Sequence, residues 1–234
     1  MGYRERLVEL DPLFAQMSGA TAGLAQALPE LTDREKTFLC VVADVCQSSF
    51  GLAFDAHLCA GMERGVSPSD VRALLSFVSY DCGYHAATAA LERLADFEAR
   101  HGVTHGEVET LAPELVATGA GAAPSPLPEG VRDRLRDLDA QFLDFFDLQS
   151  RMRTGHGPGT LSERERGMAC LSVDVHYQTL RDTFRAHVGR ALGGGASRED
   201  VRAALRFNGQ FGATRAWHAW EALNAYFAEL DASD

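Results

Sequence analysis

Two histidines and two aspartates are the residues of this chain best suited to moving protons. His57 and His187 stand 130 positions apart, each directly after an Ala and three residues after a Phe. An imidazole beside an apolar helix can deliver or take a proton near neutral pH. Taken alone, either His reads first as a structural residue on an Ala- and Phe-rich helix. Asp44 lies among Val41, Val42, Ala43 and Val45, and a carboxylate buried there is costly unless paired. Asp44 and its counterpart Asp174 therefore either orient the histidines or bond a neighbouring Arg or backbone amide. Asp174, His176 and His187 are metal-ligating types, but no spacing motif supports them, so no metal site is expected. Cys40, Cys46, Cys59, Cys82 and Cys170 make an odd count without a CxxC pair. Neither a disulfide framework nor a structural zinc site is expected, and a reducing cytoplasm is the natural setting.

The elements that must position these residues come in two copies. A shift of 130 aligns residues 31–89 with 161–219 without a gap, and 19 of the 59 pairs are identical. Cys40, Asp44, Phe54 and His57 are among them, as are Arg34, Glu35 and Asp70. A shift of 128 pairs Leu10-Asp11 with Leu138-Asp139. Residues 116–130 are rich in Ala, Gly and Pro and read as a linker. The organisation expected is a repeat over 1–115, a linker over 116–130 and a second repeat over 131–234.

Helix signals recur in both copies. Thr32 with Glu35, and Ser162 with Glu165, are capping boxes that open an apolar helix. A second helix runs from Phe50 to Met62 and ends before Gly65, a turn answered by Gly193-Gly194-Gly195. Ser67-Pro68 starts a third helix, and last helices span about 85–100 and 214–230. No run alternates with period two, so the fold class is all-α, with two tandem homologous helical domains.

Composition bounds the function. Hydrophobic residues make up 46% of 234, enough for a sizeable core, and the formal charge of −11 disfavours a nucleic-acid partner. No apolar run is long enough for a membrane helix, and no apolar stretch behind the first charged residues suggests a secretory signal.

Leu31…Arg34-Glu35, Ala56-His57, Gly65-Val66-Ser67-Pro68 and Tyr80-Asp81-Cys82-Gly83-Tyr84-His85-Ala86-Ala87, with the entry segment Leu10-Asp11-Pro12, resemble the carboxymuconolactone decarboxylase superfamily. That superfamily includes the alkylhydroperoxidase D-like proteins, and the resemblance covers both repeats. It implies helical units assembled into rings of three or six domains, here a homotrimer, with active sites near domain interfaces. The peroxidase branch carries a CxxC pair at positions that are Phe50 and Ala53 here, and Leu180 and Thr183 in the second copy. Thiol–disulfide exchange needs both sulfurs, so the sequence resembles the decarboxylase branch, which uses no metal or organic cofactor.

His57 and His187 match the family's His. The family's Glu falls on Thr37 and Gly167, a departure; Asp44 and Asp174 lie seven residues further on, on the same helix face. The resemblance thus implies His57, His187, Asp44 and Asp174 as catalytic candidates. Cys46, Phe50, Tyr80, Cys82, His85, His176 and Arg215 are substrate-binding candidates. The expected function is a cofactor-independent lyase in specialised metabolism, using enolate chemistry for decarboxylation, dehydration, isomerisation or cyclisation. A non-catalytic binding or scaffold protein is the alternative, with a thiol peroxidase behind it. Copy one, with Tyr80, Cys82, Tyr84 and His85 expected around His57, is expected to carry catalysis, and copy two mainly assembly.

Overall fold

The structure, a computed structural model, describes residues 2–155, 157 and 159–232. It is all-α, and no strand occurs among the described residues. The first repeat comprises α1 (Tyr3–Leu10), α2 (Pro12–Gln26), α3 (Asp33–Cys46), α4 (Leu52–Glu63), α5 (Pro68–Cys82) and α6 (Tyr84–His101). After the short α7 (Pro113–Val116), the series recurs as α8 (Glu129–Leu138), α9 (Ala140–Gly155), α10 (Glu163–Tyr177), α11 (Asp182–Gly193), α12 (Arg198–Asn208) and α13 (Ala213–Asp231). No helix is long and apolar enough to cross a membrane among the described residues.

The repeated starts are built by repeated caps. Thr32 and Ser162 each accept from the backbone N–H three residues on, and Glu35 and Glu165 reach back to the cap. Ser67 with Asp70 and Ser197 with Asp200 do the same for α5 and α12. The turn before each of these helices needs a left-handed residue, and Gly65 and Gly195 supply it at φ +89° and +93°.

Two compact units result, residues 1–104 with 161–234 and residues 105–160. This contact division differs from the repeat division, because the expected linker 116–130 falls inside the second unit, where Gly119–Gly121 forms a 3₁₀ turn. In that unit α9 packs on α7 and α8, Arg151 donates to the carbonyls of Ala117 and Ala123, and Ser125 bonds Asp147.

The first unit holds the central helices of both repeats. α3 and α10 are buried from their first turns to their ends and pack on each other. One core joins Leu39 and Cys40 to Met168, Leu171, Phe184, Phe207 and Phe227. The other joins Phe38, Val41, Phe54 and Leu74 to Ala169, Cys170 and Val173. Each repeat thus completes the other's core, and each needs the partner's apolar face to bury its own. The charged ends of the two helices are matched in the same way. Arg34 donates to Glu165 and Arg164 to Glu35, both at 2.6 Å. The same guanidiniums reach Asp70 and Asp200. Glu35 and Glu165 therefore cap their helices and also tie the repeats together.

Candidate active site

Cys40 and Asp44 lie one turn apart on one face of α3, and Cys170 and Asp174 repeat them on α10. His57 on α4 and His187 on α11 face these helices. In both copies the His Nδ1 and the Asp Oδ2 are 2.6 Å apart. Both aspartates are buried, so the His is the partner that burial demands. Donation from Nδ1 fixes the ring and leaves Nε2 for other chemistry.

The first pair is strongly perturbed. Burial works against an imidazolium at His57, but Cys40 and Asp44, both hydrogen-bonded to its ring, outweigh it and push the pKa up to about 10. Burial pushes the Asp44 carboxyl up as well, against the opposing pull of His57. The Asp44 carboxyl on Nδ1 favours the charged ring, and the raised pKa favours a second, transferable proton on Nε2 near neutral pH.

The groups around each His come partly from the opposite repeat. Phe211, on the 3₁₀ turn after α12, meets the His57 ring edge-on at 6.4 Å and the His176 ring at 5.9 Å. Asp81, the residue equivalent to Phe211 under the 130-residue shift, lies instead with Cys170 and His187. The end of α5 thus brings a carboxylate to the second repeat's His. Segments that follow one another in a repeat need not share a site when the central helices of the repeats are interleaved. From α1, Tyr3 comes near Asp44 and Cys40; burial first, then those two charges, raise its phenol.

His176 is buried, and among the described residues neither ring nitrogen meets a partner at hydrogen-bond geometry. Asn208, which accepts from Ser172 at 2.7 Å and donates to Ala204 at 2.8 Å, lies beside it and raises its pKa slightly. Burial, followed by the nearby Arg215 charge, lowers the His176 pKa to about 4. Both imidazoles thus meet Phe211, with their pKa values shifted in opposite directions.

The other sequence candidates are dispersed. Cys46 and Cys82 sit together, Sγ to Sγ 3.6 Å, with Tyr177 bonded to both. Phe50 rests edge-on against Phe54 at 5.7 Å. Tyr80 is half-buried on α5 and His85 is exposed at the start of α6. Arg215 donates to Phe211 O at 2.8 Å and reaches Gln47 at 3.4 Å. Sequence reasoning passed over Cys40, Cys170, Asp81, Phe211 and Tyr3. A signal for the two cysteines was present, since they recur at the same register one helical turn before each Asp.

Gly167 and Thr37, one 130-residue shift apart, both lie at close helix crossings. A Cβ on Gly167 would lie 2.5 Å from the backbone of Ala191, and one on Gly61 would lie 2.4 Å from Thr37 Cγ2. At both places the two helices that carry the Asp–His pair touch through small residues.

This geometry, an all-helical pair of repeats with an Asp-anchored His in each, defines a class before any comparison. Residues 144–225 match the model of the carboxymuconolactone decarboxylase family. The crystal structure of a candidate gamma-carboxymuconolactone decarboxylase subunit from Burkholderia xenovorans LB400 superposes with a TM-score of 0.51 at 18% identity, covering 100% of this chain and 92% of the other. No curated protein matches the sequence. The family match lies within the second repeat and the structural likeness shows the fold; neither copy carries a CxxC pair.

Proposed function

We propose that the chain is a lyase that transfers a proton to an enolate, acting on a small molecule with a carboxylate beta to a carbonyl or lactone. The observation that supports this most is His57 anchored through Nδ1 on buried Asp44 at 2.6 Å, with Cys40 beside its ring, in a site shared between repeats. In the reaction the bond to the carboxylate breaks, CO2 leaves, and its electron pair passes onto the carbonyl oxygen. The enolate carbon then takes the His57 proton, which solvent replaces. The substrate's own carbonyl accepts the electrons, so the step is written without a cofactor. Neutral His176 can donate to the oxygen on which charge develops. Dehydration, isomerisation and cyclisation use the same enolate and stay within the proposal, as does a role in specialised metabolism.

His187 and Asp174 repeat the dyad with Asp81 in place of Phe211, and we assign the main catalytic role to the His57 site. Cys46, Phe50, Tyr80, Cys82, His85 and Arg215 remain candidates for substrate contact. Exposed Leu13, Phe14 and Met17 on α2 suit a face between copies of the chain, in a cytoplasmic homotrimer. The test is a panel of β-keto acids and unsaturated lactone carboxylates in deuterated buffer. CO2 release with deuterium at the α-carbon supports the lyase. Saturable binding with neither release nor exchange would make the protein a binding module.

A further inference from the structure

The site around His187 carries a donor set that the site around His57 lacks. A carboxylate oxygen of Asp81, Sγ of Cys170 and a ring nitrogen of His187 all lie within 4.8 Å of one another. Cys170 Sγ and Asp81 Oδ2 are 3.4 Å apart. Cys170 is wholly buried, and the His187 side chain is 12% exposed. Asp174 occupies Nδ1 of His187, so Nε2 is the ring nitrogen left to ligate an ion.

We propose that Asp81, Cys170 and His187 bind one divalent transition-metal ion of the zinc type. Three features carry this. First, thiolate, imidazole and carboxylate together suit zinc and its congeners rather than calcium or magnesium. Second, tetrahedral zinc at ordinary bond lengths sets its donor atoms about 3.3–3.6 Å apart; Cys170 and Asp81 already stand at that spacing, and the His187 nitrogen lies within 4.8 Å of both. Third, a carboxylate on the far nitrogen of a ligating His is the arrangement that fixes the ring and raises its basicity. Binding exchanges the Cys170 thiol proton for the metal: the S–H bond breaks, the proton leaves to solvent, and the thiolate pair forms the S–metal bond. Three protein ligands leave a fourth position for water or a ligand atom.

The first repeat supplies an internal comparison. Cys40 and His57 repeat Cys170 and His187, but Phe211 stands where Asp81 would be. The stoichiometry is therefore one ion per chain. The site is independent of the lyase reading, because His57 and its partners contribute no ligand.

The test is titration of metal-depleted full-length protein with cobalt(II), read by absorption, with zinc(II) as competitor. The expected result is one equivalent per chain, with a thiolate-to-cobalt charge-transfer band and tetrahedral d–d bands that zinc displaces. Cys170→Ser removes the charge-transfer band, Cys40→Ser keeps it, and Asp81→Asn weakens cobalt binding at least 10-fold. Asp81 is less buried than Cys170, so its variant decides the matter if Cys170→Ser fails to fold. A fully helical wild-type protein without a charge-transfer band would overturn the proposal. So would a band that survives Cys170→Ser and disappears in the Cys46→Ser, Cys82→Ser double variant.

Discussion

Asp81 belongs to the first repeat but lies against His187 of the second. Phe211, its equivalent, makes the reciprocal move toward His57. Each site is thus assembled from both copies, and divergence at this pair and at Cys46/His176 has made the sites chemically unlike. One has the Phe211 ring against both His57 and His176. The other has a second carboxylate.

The alkaline limit of the reaction should report Cys40. With His57 raised to about 10, the general-acid form persists until pH approaches that value, and the rate falls above it. Cys40→Ser removes one of the groups that raise His57, so the alkaline limb should move to lower pH. Cys59→Ser, two residues along α4 and not among the groups that shift His57, should not move it. A pH–rate profile that is identical in the two variants would show that Cys40 does not tune the imidazole.

His57 also links stability to pH. Its folded pKa lies above the unfolded value of 6.5, so the contribution is complete below 6.5 and is lost as pH rises toward 10. His176 works in the opposite sense. Its folded value, about 4, lies below 6.5, so stability is present above 6.5 and falls as acid forces a charge onto a buried ring. Denaturant unfolding from pH 6.5 to 4 should show this loss in the wild type, with a shallower slope in His176→Leu. An unchanged slope would assign the acid sensitivity to other groups.

Much of this architecture was legible because it is written twice. Caps, glycine turns and the 130-residue register located the helices, and a buried Asp among valines signalled a partner. What could not be read was which residue meets which across the repeats. Asp81 is next to Cys82 in sequence, yet Asp81 joins Cys170 and His187 while Cys82 joins Cys46. Such contacts depend on how α3 and α10 interleave, and pattern along one chain does not encode that packing. Residue types left the Asp–His pairing as one of two readings of a buried Asp, and the single cysteines one turn before each Asp belong to no spacing motif.

Restoring the family's acid at Gly167 should harm the fold. Gly167→Glu drives a side chain into the backbone of Ala191, where even a Cβ would stand 2.5 Å away. Overpacking of this kind costs about 1–3 kcal/mol or more. Thr37→Glu meets the same helix crossing at Gly61. Chemical denaturation should show a loss of stability for both variants; stable, active Glu variants would mean that the helices separate more easily than their packing indicates.

The assembly can be checked without substrate. An α2 face carrying Leu13, Phe14 and Met17 should hold copies together, so sedimentation should give a trimer at working concentration. Phe14→Asp should shift it toward monomer with helicity retained. A monomeric wild type would remove this face from the account.

The central claim is that His57, rather than His187, delivers the proton. It is tested most directly by comparing His57→Ala with His187→Ala at matched folded fraction, reading deuterium incorporation at the α-carbon. The account predicts a loss of roughly 10²-fold or more for His57→Ala, as for removal of a general acid, and a much smaller one for His187→Ala. Equal large losses would mean that both sites work, and no loss from either would contradict the His-based mechanism.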